Sequence, residues 1–267
     1  MNLYLANLSQ TMFAFLFILA LVLRPALALL SKGVIFPLYI YPGDECAAWA
    51  PVFTAATANP TLPFLVIANP DSGPGAVANT QPDSNYQTCL TNLTAHANVR
   101  SIGYVATGYG TRASAAVEAD IATYAQWSAA YRPSGIFFDE TEATPAFEAL
   151  YRSYAAAVHS STLGSSAFVA FNPGVVPDAA FYGFADLIVS AEDFYQDFST
   201  SDLTINATAP AAKQAVILHA GPSATPVDLV RQLTGQLGIR YIFITDAEYT
   251  SIPKDWLNFC ANVAAAQ

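Results

Sequence analysis

In Gly135-Ile136-Phe137-Phe138-Asp139-Glu140, three bulky apolar residues run straight into two adjacent carboxylates. An unpaired buried carboxylate is strongly destabilising, so Asp139 and Glu140 belong where a buried strand reaches solvent or a ligand. A second apolar run, Leu187-Ile188-Val189-Ser190-Ala191, stops in the same way at Glu192. Carboxyl groups gathered at strand ends suit acid–base and nucleophilic chemistry. One, held protonated by an apolar or anionic neighbour, donates a proton; another stays ionised to attack or to activate water. Adjacent residues of a regular strand point to opposite faces. The expectation is therefore that one of Asp139 and Glu140 works with Glu192, rather than the two adjacent acids working with each other.

Eight short apolar runs recur along the chain: Val34–Tyr41, Phe64–Asn69, Ser101–Thr107, Gly135–Asp139, Ala167–Asn172, Asp186–Ala191, Ala215–His219 and Tyr241–Thr245. Most lack alternation, as strands buried on both faces do. Ala-rich amphipathic segments lie between them: Cys46–Ala58, Asn85–Ala97, Ala113–Ala130, Pro145–Ser161, Pro226–Leu237 and Pro253–Ala265. The connections after the fifth and sixth runs look short or irregular. This order predicts a single (β/α)8 barrel domain over residues 29–267. The alternative, an open doubly wound sheet, usually carries a Gly-rich phosphate loop after its first strand; here that place holds Tyr41-Pro42-Gly43-Asp44-Glu45.

Barrel chemistry gathers at the C-terminal strand ends. Almost every run stops there at a polar or acidic residue, and tyrosines are interleaved. The candidate binding residues are Tyr41, Asn69, Asp71, Tyr109, Asn172, Tyr195, His219 and Asp246. Carboxylates and aromatic rings in one cleft suit a carbohydrate, the acids serving the glycosidic bond and the rings packing on sugar faces. Asn69 and Asp71 equally read as turn formers ahead of Ser72-Gly73-Pro74-Gly75. Asp246 reads as a partner for an amine on a deacetylated sugar, or as support for the site. Three histidines in the whole chain argue against a His-rich metal site, and Ser72 has no G-x-S-x-G setting. No metal or cofactor is expected.

The net charge is −10, which disfavours nucleic acid as a partner. Met12–Leu23 is a continuous apolar run, short for a membrane span, and Ala26-Leu27-Ala28 fits a cleavage site. Residues 1–28 therefore read as a signal peptide, with an uncleaved anchor as the alternative. A secreted or wall-associated protein without stable membrane insertion is expected, by default a monomer. Cys46 and Cys89 each precede or open consecutive predicted helices, which a barrel sets side by side; they are the expected disulfide, with Cys260 a packed thiol. Asn92-Leu93-Thr94 and Asn206-Ala207-Thr208 are glycosylation sequons.

Four segments in order carry a resemblance: Asn69-Pro70-Asp71-Ser72-Gly73-Pro74-Gly75, Gly103 through Arg112, Gly135 through Glu140, and Phe171-Asn172-Pro173-Gly174. With Asp186 through Glu192, they resemble the spherulin-4 family, the basis of glycoside hydrolase family 135, from about residue 33 to the C-terminus. The resemblance implies a (β/α)8 barrel that cleaves α-1,4-linked N-acetylgalactosamine chains internally, with the exopolysaccharide galactosaminogalactan as substrate. The family's paired Asp-Glu falls on Asp139 and Glu140, and its further glutamate on Glu192. In an α-linked galactosamine the 2-acetamido group is cis to the leaving group, so it cannot assist from behind and the protein must supply both carboxyls. A non-catalytic secreted barrel, binding glycans or serving in a wall or spore, is the competing reading.

Overall fold

The structure is a computed structural model describing residues 32–75 and 77–267. The targeting segment expected over residues 1–28 lies outside them. Eight parallel strands close into a barrel in chain order: β1 (Gly33–Leu38), β2 (Phe64–Ala68), β3 (Val99–Ala106), β4 (Gly135–Asp139), β5 (Phe168–Phe171), β6 (Leu187–Phe194), β7 (Gln214–His219) and β8 (Tyr241–Ile244). β8 returns to pair with β1 through Gly33–Tyr241 and Val34–Ile242. Each expected run supplies one strand, because residues apolar on both faces are stable only between a packed barrel interior and a helical layer.

The helical layer comprises α1 (Ala50–Ala58), α2 (Ser84–Thr94), α3 (Ser114–Ala125), α4 (Glu148–Ser160), α5 (Val227–Val230), which continues as a π-helical stretch over Arg231–Gln236, and α6 (Trp256–Ala265). After β5 and β6 the chain makes only 3-10 turns, at Ala179–Gly183, Thr200–Asp202 and Ala211–Lys213, as their irregular sequences foretold. Among the described residues no helix is long and apolar enough to cross a membrane. The predicted disulfide joins Cys46 to Cys89, with Cα atoms 5.5 Å apart, and Cys260 is a buried free thiol. Asn92 sits exposed in the last turn of α2, and Asn206 is exposed in a loop where its Oδ1 accepts from the Thr208 backbone at 2.8 Å.

β4 is held from outside by aromatic packing. Phe138 stacks on Phe171 at 5.2 Å and on Tyr154 of α4 at 5.7 Å. At its lower end the chain passes so close to β5 that a Cβ on Gly135 would lie 2.1 Å from the Phe168 carbonyl oxygen. Gly135→Ala is expected to cost roughly 3 kcal/mol of stability through forced strand separation. Denaturant unfolding measures it, and an unchanged midpoint would show that β4 and β5 are not so tightly apposed.

β6 departs from regular alternation. Val189 pairs with Ala215, but Ala191 pairs with Val216, leaving Ser190 as a bulge. The Ser190 hydroxyl instead meets the Tyr182 hydroxyl at 3.2 Å. A bulge of one residue reverses the facing of everything beyond it. Without it Glu192 would share the outward side of Ile188; with it, Glu192 pairs with Ile217 and enters the barrel mouth.

Candidate active site

Asp139, Asn172 and Glu192 meet at the C-terminal mouth. Asp139 ends β4, Asn172 directly follows β5, and Glu192 lies in β6 beyond the bulge. Asn172 is 6% exposed and its amide is fixed in orientation. Its Oδ1 accepts the Gly174 N–H at 3.0 Å, which turns Nδ2 toward the acids. Nδ2 donates to Asp139 Oδ1 at 2.7 Å and to Glu192 Oε2. The other oxygen of Glu192 accepts from the Tyr249 hydroxyl, supplied by the loop after β8. Two carboxyls are thus bridged by a single amide nitrogen, so their nearest oxygens lie within two hydrogen-bond lengths, about 6 Å or less.

Glu140 joins them by a different route. Its backbone is left-handed, with φ 52°, a conformation unfavourable for a residue with a Cβ and found where surrounding contacts enforce it. The enforcing contacts are explicit. Thr107 Oγ1 lies 2.6 Å from the Glu140 carbonyl oxygen, which also accepts the Tyr109 N–H at 2.7 Å. The Gly108 N–H donates to Glu140 Oε2 at 3.1 Å. Gly108, Tyr109 and Gly110 are themselves consecutive left-handed residues, with φ 60°, 51° and 77°. The expectation that Asp139 and Glu140 diverge is corrected here: the strand ends at Asp139, and the turn swings Glu140 back, so both line one pocket. That pocket, about 390 Å³, is bounded by Tyr109, Asp139, Glu140, Asn172, Pro173 to Val175 and Glu192.

Burial, and then the charge of Glu192, raise the Asp139 carboxyl to about 6, against partial relief from the Tyr104 hydroxyl and the Asn172 amide. Burial, followed by the Asp139 and Glu192 charges, also pushes the Tyr39 hydroxyl far up; burial and Asp139 raise Tyr104, and burial and Glu192 raise Tyr249. These tyrosines stay protonated donors facing the acids. Tyr39 binds the group together, edge-on to Tyr104 at 5.5 Å and to Tyr249 at 5.7 Å.

The raised Asp139 value has a consequence for stability. The folded chain holds this proton more tightly than the unfolded chain, so ionisation at Asp139 destabilises the fold as pH rises from about 4 through 6. Asp139→Asn removes that penalty. It is expected to raise the unfolding free energy at pH 7 by on the order of 2–3 kcal/mol, with the gain vanishing near pH 4. Urea titrations at the two pH values test this; an equal effect at both would contradict a strained carboxylate.

Other candidate residues lie outside the pocket. β1 stops at Leu38, short of the expected Tyr41, and Tyr41 turns toward α2, where its hydroxyl accepts from Asn85 at 3.0 Å. Asn69 closes a turn, its Oδ1 accepting the Gly73 N–H at 2.8 Å, and exposed Asp71 belongs to the same turn. Tyr195 packs beside Gly221, with its backbone N–H donated to the His219 carbonyl at 2.9 Å. Asp246 is paired internally with Lys254 at 3.1 Å, which removes it as a free site for a substrate amine. His219 stands at the mouth beside Phe194 and Tyr249. Sequence reasoning overlooked Tyr104 and Tyr249 as site residues. Tyr104 lies inside the quoted Gly103–Arg112 motif, and Tyr249 lies three residues beyond Asp246 at the end of the eighth run.

The family model for spherulation-specific family 4 matches residues 33–263. The chain belongs to the spherulin-4 family. Over 223 residues it is 34% identical to Spherulin-4 of Physarum polycephalum, covering 80% of this chain and 63% of that protein, so it spans less than two thirds of that relative. The crystal structure of Aspergillus clavatus Sph3 in complex with GalNAc is similar at a TM-score of 0.78 and 31% identity, covering 88% of this chain and 98% of the other. A broad-specificity GH5-4 endoglucanase from Bacteroides salanitronis superposes at a TM-score of 0.51 with 8% identity, over 90% of this chain and 93% of that one; this likeness concerns the barrel alone. This spherulin-4 family member therefore shares with Sph3 a barrel at an identity well above that of the general barrel neighbours.

Proposed function

We propose that this spherulin-4 family protein is a secreted endo-acting glycoside hydrolase for α-1,4-linked N-acetylgalactosamine or galactosamine chains. The observation that carries the proposal is the pair Asp139 and Glu192, bridged by the Asn172 amide in an open pocket. The GalNAc held by a relative 31% identical to this chain supports the sugar class. One carboxyl of the pair protonates the glycosidic oxygen while the other attacks the anomeric carbon. Water then hydrolyses the glycosyl-enzyme, with the first group acting as base. The close approach of the two acids supports this retaining route, for which separations of about 5–5.5 Å are usual. With Asp139 raised to about 6, this carboxyl can supply a proton in mildly acidic solution, while Glu192 is oriented by the Asn172 amide and the Tyr249 hydroxyl. Glu140, with its backbone locked and its carboxylate in the pocket, holds sugar hydroxyls or an amine. Acids without a lining Lys or Arg suit a neutral or cationic chain.

The test is incubation of the wild type with acetylated and deacetylated α-1,4-galactosamine polymer, followed by mass analysis of soluble products. A ladder of oligosaccharides is the expected result, and the ladder's composition identifies the preferred polymer. Binding without any release of fragments would favour the non-catalytic glycan-binding barrel.

A further inference from the structure

One large ring at the mouth has no part in the chemistry above. Phe194, the last residue of β6, is 47% exposed. It lies two residues beyond Glu192, past the bulge, so alternation places it on the same face of the strand, about 7 Å nearer the rim. Register pairs it with His219 of β7, and the two rings meet at 4.3 Å with planes inclined at 61°. His219 in turn faces Tyr249 at 6.2 Å, and Tyr249 donates to Glu192. Phe194, His219, Tyr249 and Glu192 therefore form one continuous wall on the β6–β8 side of the mouth. The opposite rim, above Glu140, carries Tyr109, 57% exposed.

Exposed apolar residues are common singly on any surface. Phe194 differs in its location, since it continues the wall that carries a reacting carboxyl. Its neighbour His219 also fixes the ring's approach from one side, leaving the rest open. A galacto-configured sugar offers a matching surface, because its C3, C4 and C5 hydrogens form an apolar patch on one face.

We propose that Phe194, backed by His219, is a sugar-stacking subsite on the far side of the cleavage point from Tyr109, so that a galactosamine-type chain lies across the mouth from one ring to the other. The proposal rests on the glycosidase reading above and deepens it, since an enzyme that cuts within a chain must hold sugars on both sides of the bond. The subsite takes a neutral or amino hexose by its apolar face, without a charge requirement of its own.

The test uses full-length Glu192→Gln protein, so that chains are bound without turnover, and titrates it with α-1,4-galactosamine oligosaccharides of increasing length. Adding Phe194→Ala is expected to weaken binding of the longer chains roughly tenfold, the size of one lost stacking contact. Phe194→Tyr in the same background is expected to restore it. Equal affinity of the Glu192→Gln protein with and without Phe194→Ala, at every length, would overturn the subsite while leaving the hydrolase reading intact. A wild type that neither binds nor cleaves any chain would overturn the hydrolase reading and the subsite together. Because Phe194 is half exposed, its truncation leaves the core in place, and an unchanged melting curve verifies this.

Discussion

Glu192→Gln and Asp139→Asn are each expected to lower kcat on galactosamine polymer by roughly 10⁴-fold, the scale of losing a group that acts in the transition state. Both replacements keep the shape of the side chain. A Gln at 192 can offer its carbonyl oxygen to Asn172 Nδ2 and its amide to the Tyr249 oxygen, so the local network survives. What is lost is the ability to carry charge or release a proton. Glu140→Gln is expected to lose less, about 10–100-fold and mainly in kcat/KM, because Glu140 contributes binding. Azide divides the pair by role. Removal of the attacking carboxyl to Ala is expected to give a glycosyl azide of inverted configuration, and removal of the acid–base carboxyl one of retained configuration, because azide then intercepts the glycosyl-enzyme. Full activity in either Asp139→Asn or Glu192→Gln, with the fold verified by circular dichroism, would exclude that residue from the chemistry.

Breaking the disulfide is the other large expected effect. Cys46 and Cys89 enclose a sequence separation of 43 residues, for which loop-closure entropy predicts a loss of about 4 kcal/mol. Its removal also frees two strained positions, since Glu45 and Cys46 have φ of 53° and 62°. The intact bond secures the turn that leads from β1 into α1 to α2, beside Tyr41 and Asp44, which both contact Asn85. Cys46→Ser with Cys89→Ser, or reductant on the wild type, is expected to lower the melting temperature by roughly 10 °C. Scanning calorimetry measures this; an unchanged transition would mean that tertiary packing alone holds the turn. A bond of this kind is kept in oxidising compartments, which agrees with the proposed secretion.

Much of the architecture was legible in the chain by itself. Doubly apolar runs such as Phe64–Ala68 have one stable context, a barrel or sheet covered on both faces. The polar or acidic residue at the end of almost every run then locates the mouth, because charge is tolerated only where the strand emerges. The disulfide followed from two cysteines beside consecutive helices. The facing of individual acids did not follow. Period-two alternation sends Glu140 away from Asp139, and that inference fails for a local backbone reason; Glu192, expected at the mouth, reaches it only through the bulge at Ser190. Ser190 bulges because β6 has one residue more than β7 can pair. Glu140 turns left-handed because Thr107, Gly108 and Tyr109 of the neighbouring strand end hold its carbonyl and carboxylate. Likewise Lys254, which follows Asp246 in the same loop, folds back to neutralise it. Sequence alone determined a closed parallel barrel with an acidic, aromatic mouth. Tertiary structure decided which acids converge, because a bulge and a left-handed turn depend on contacts between strands that no local pattern records.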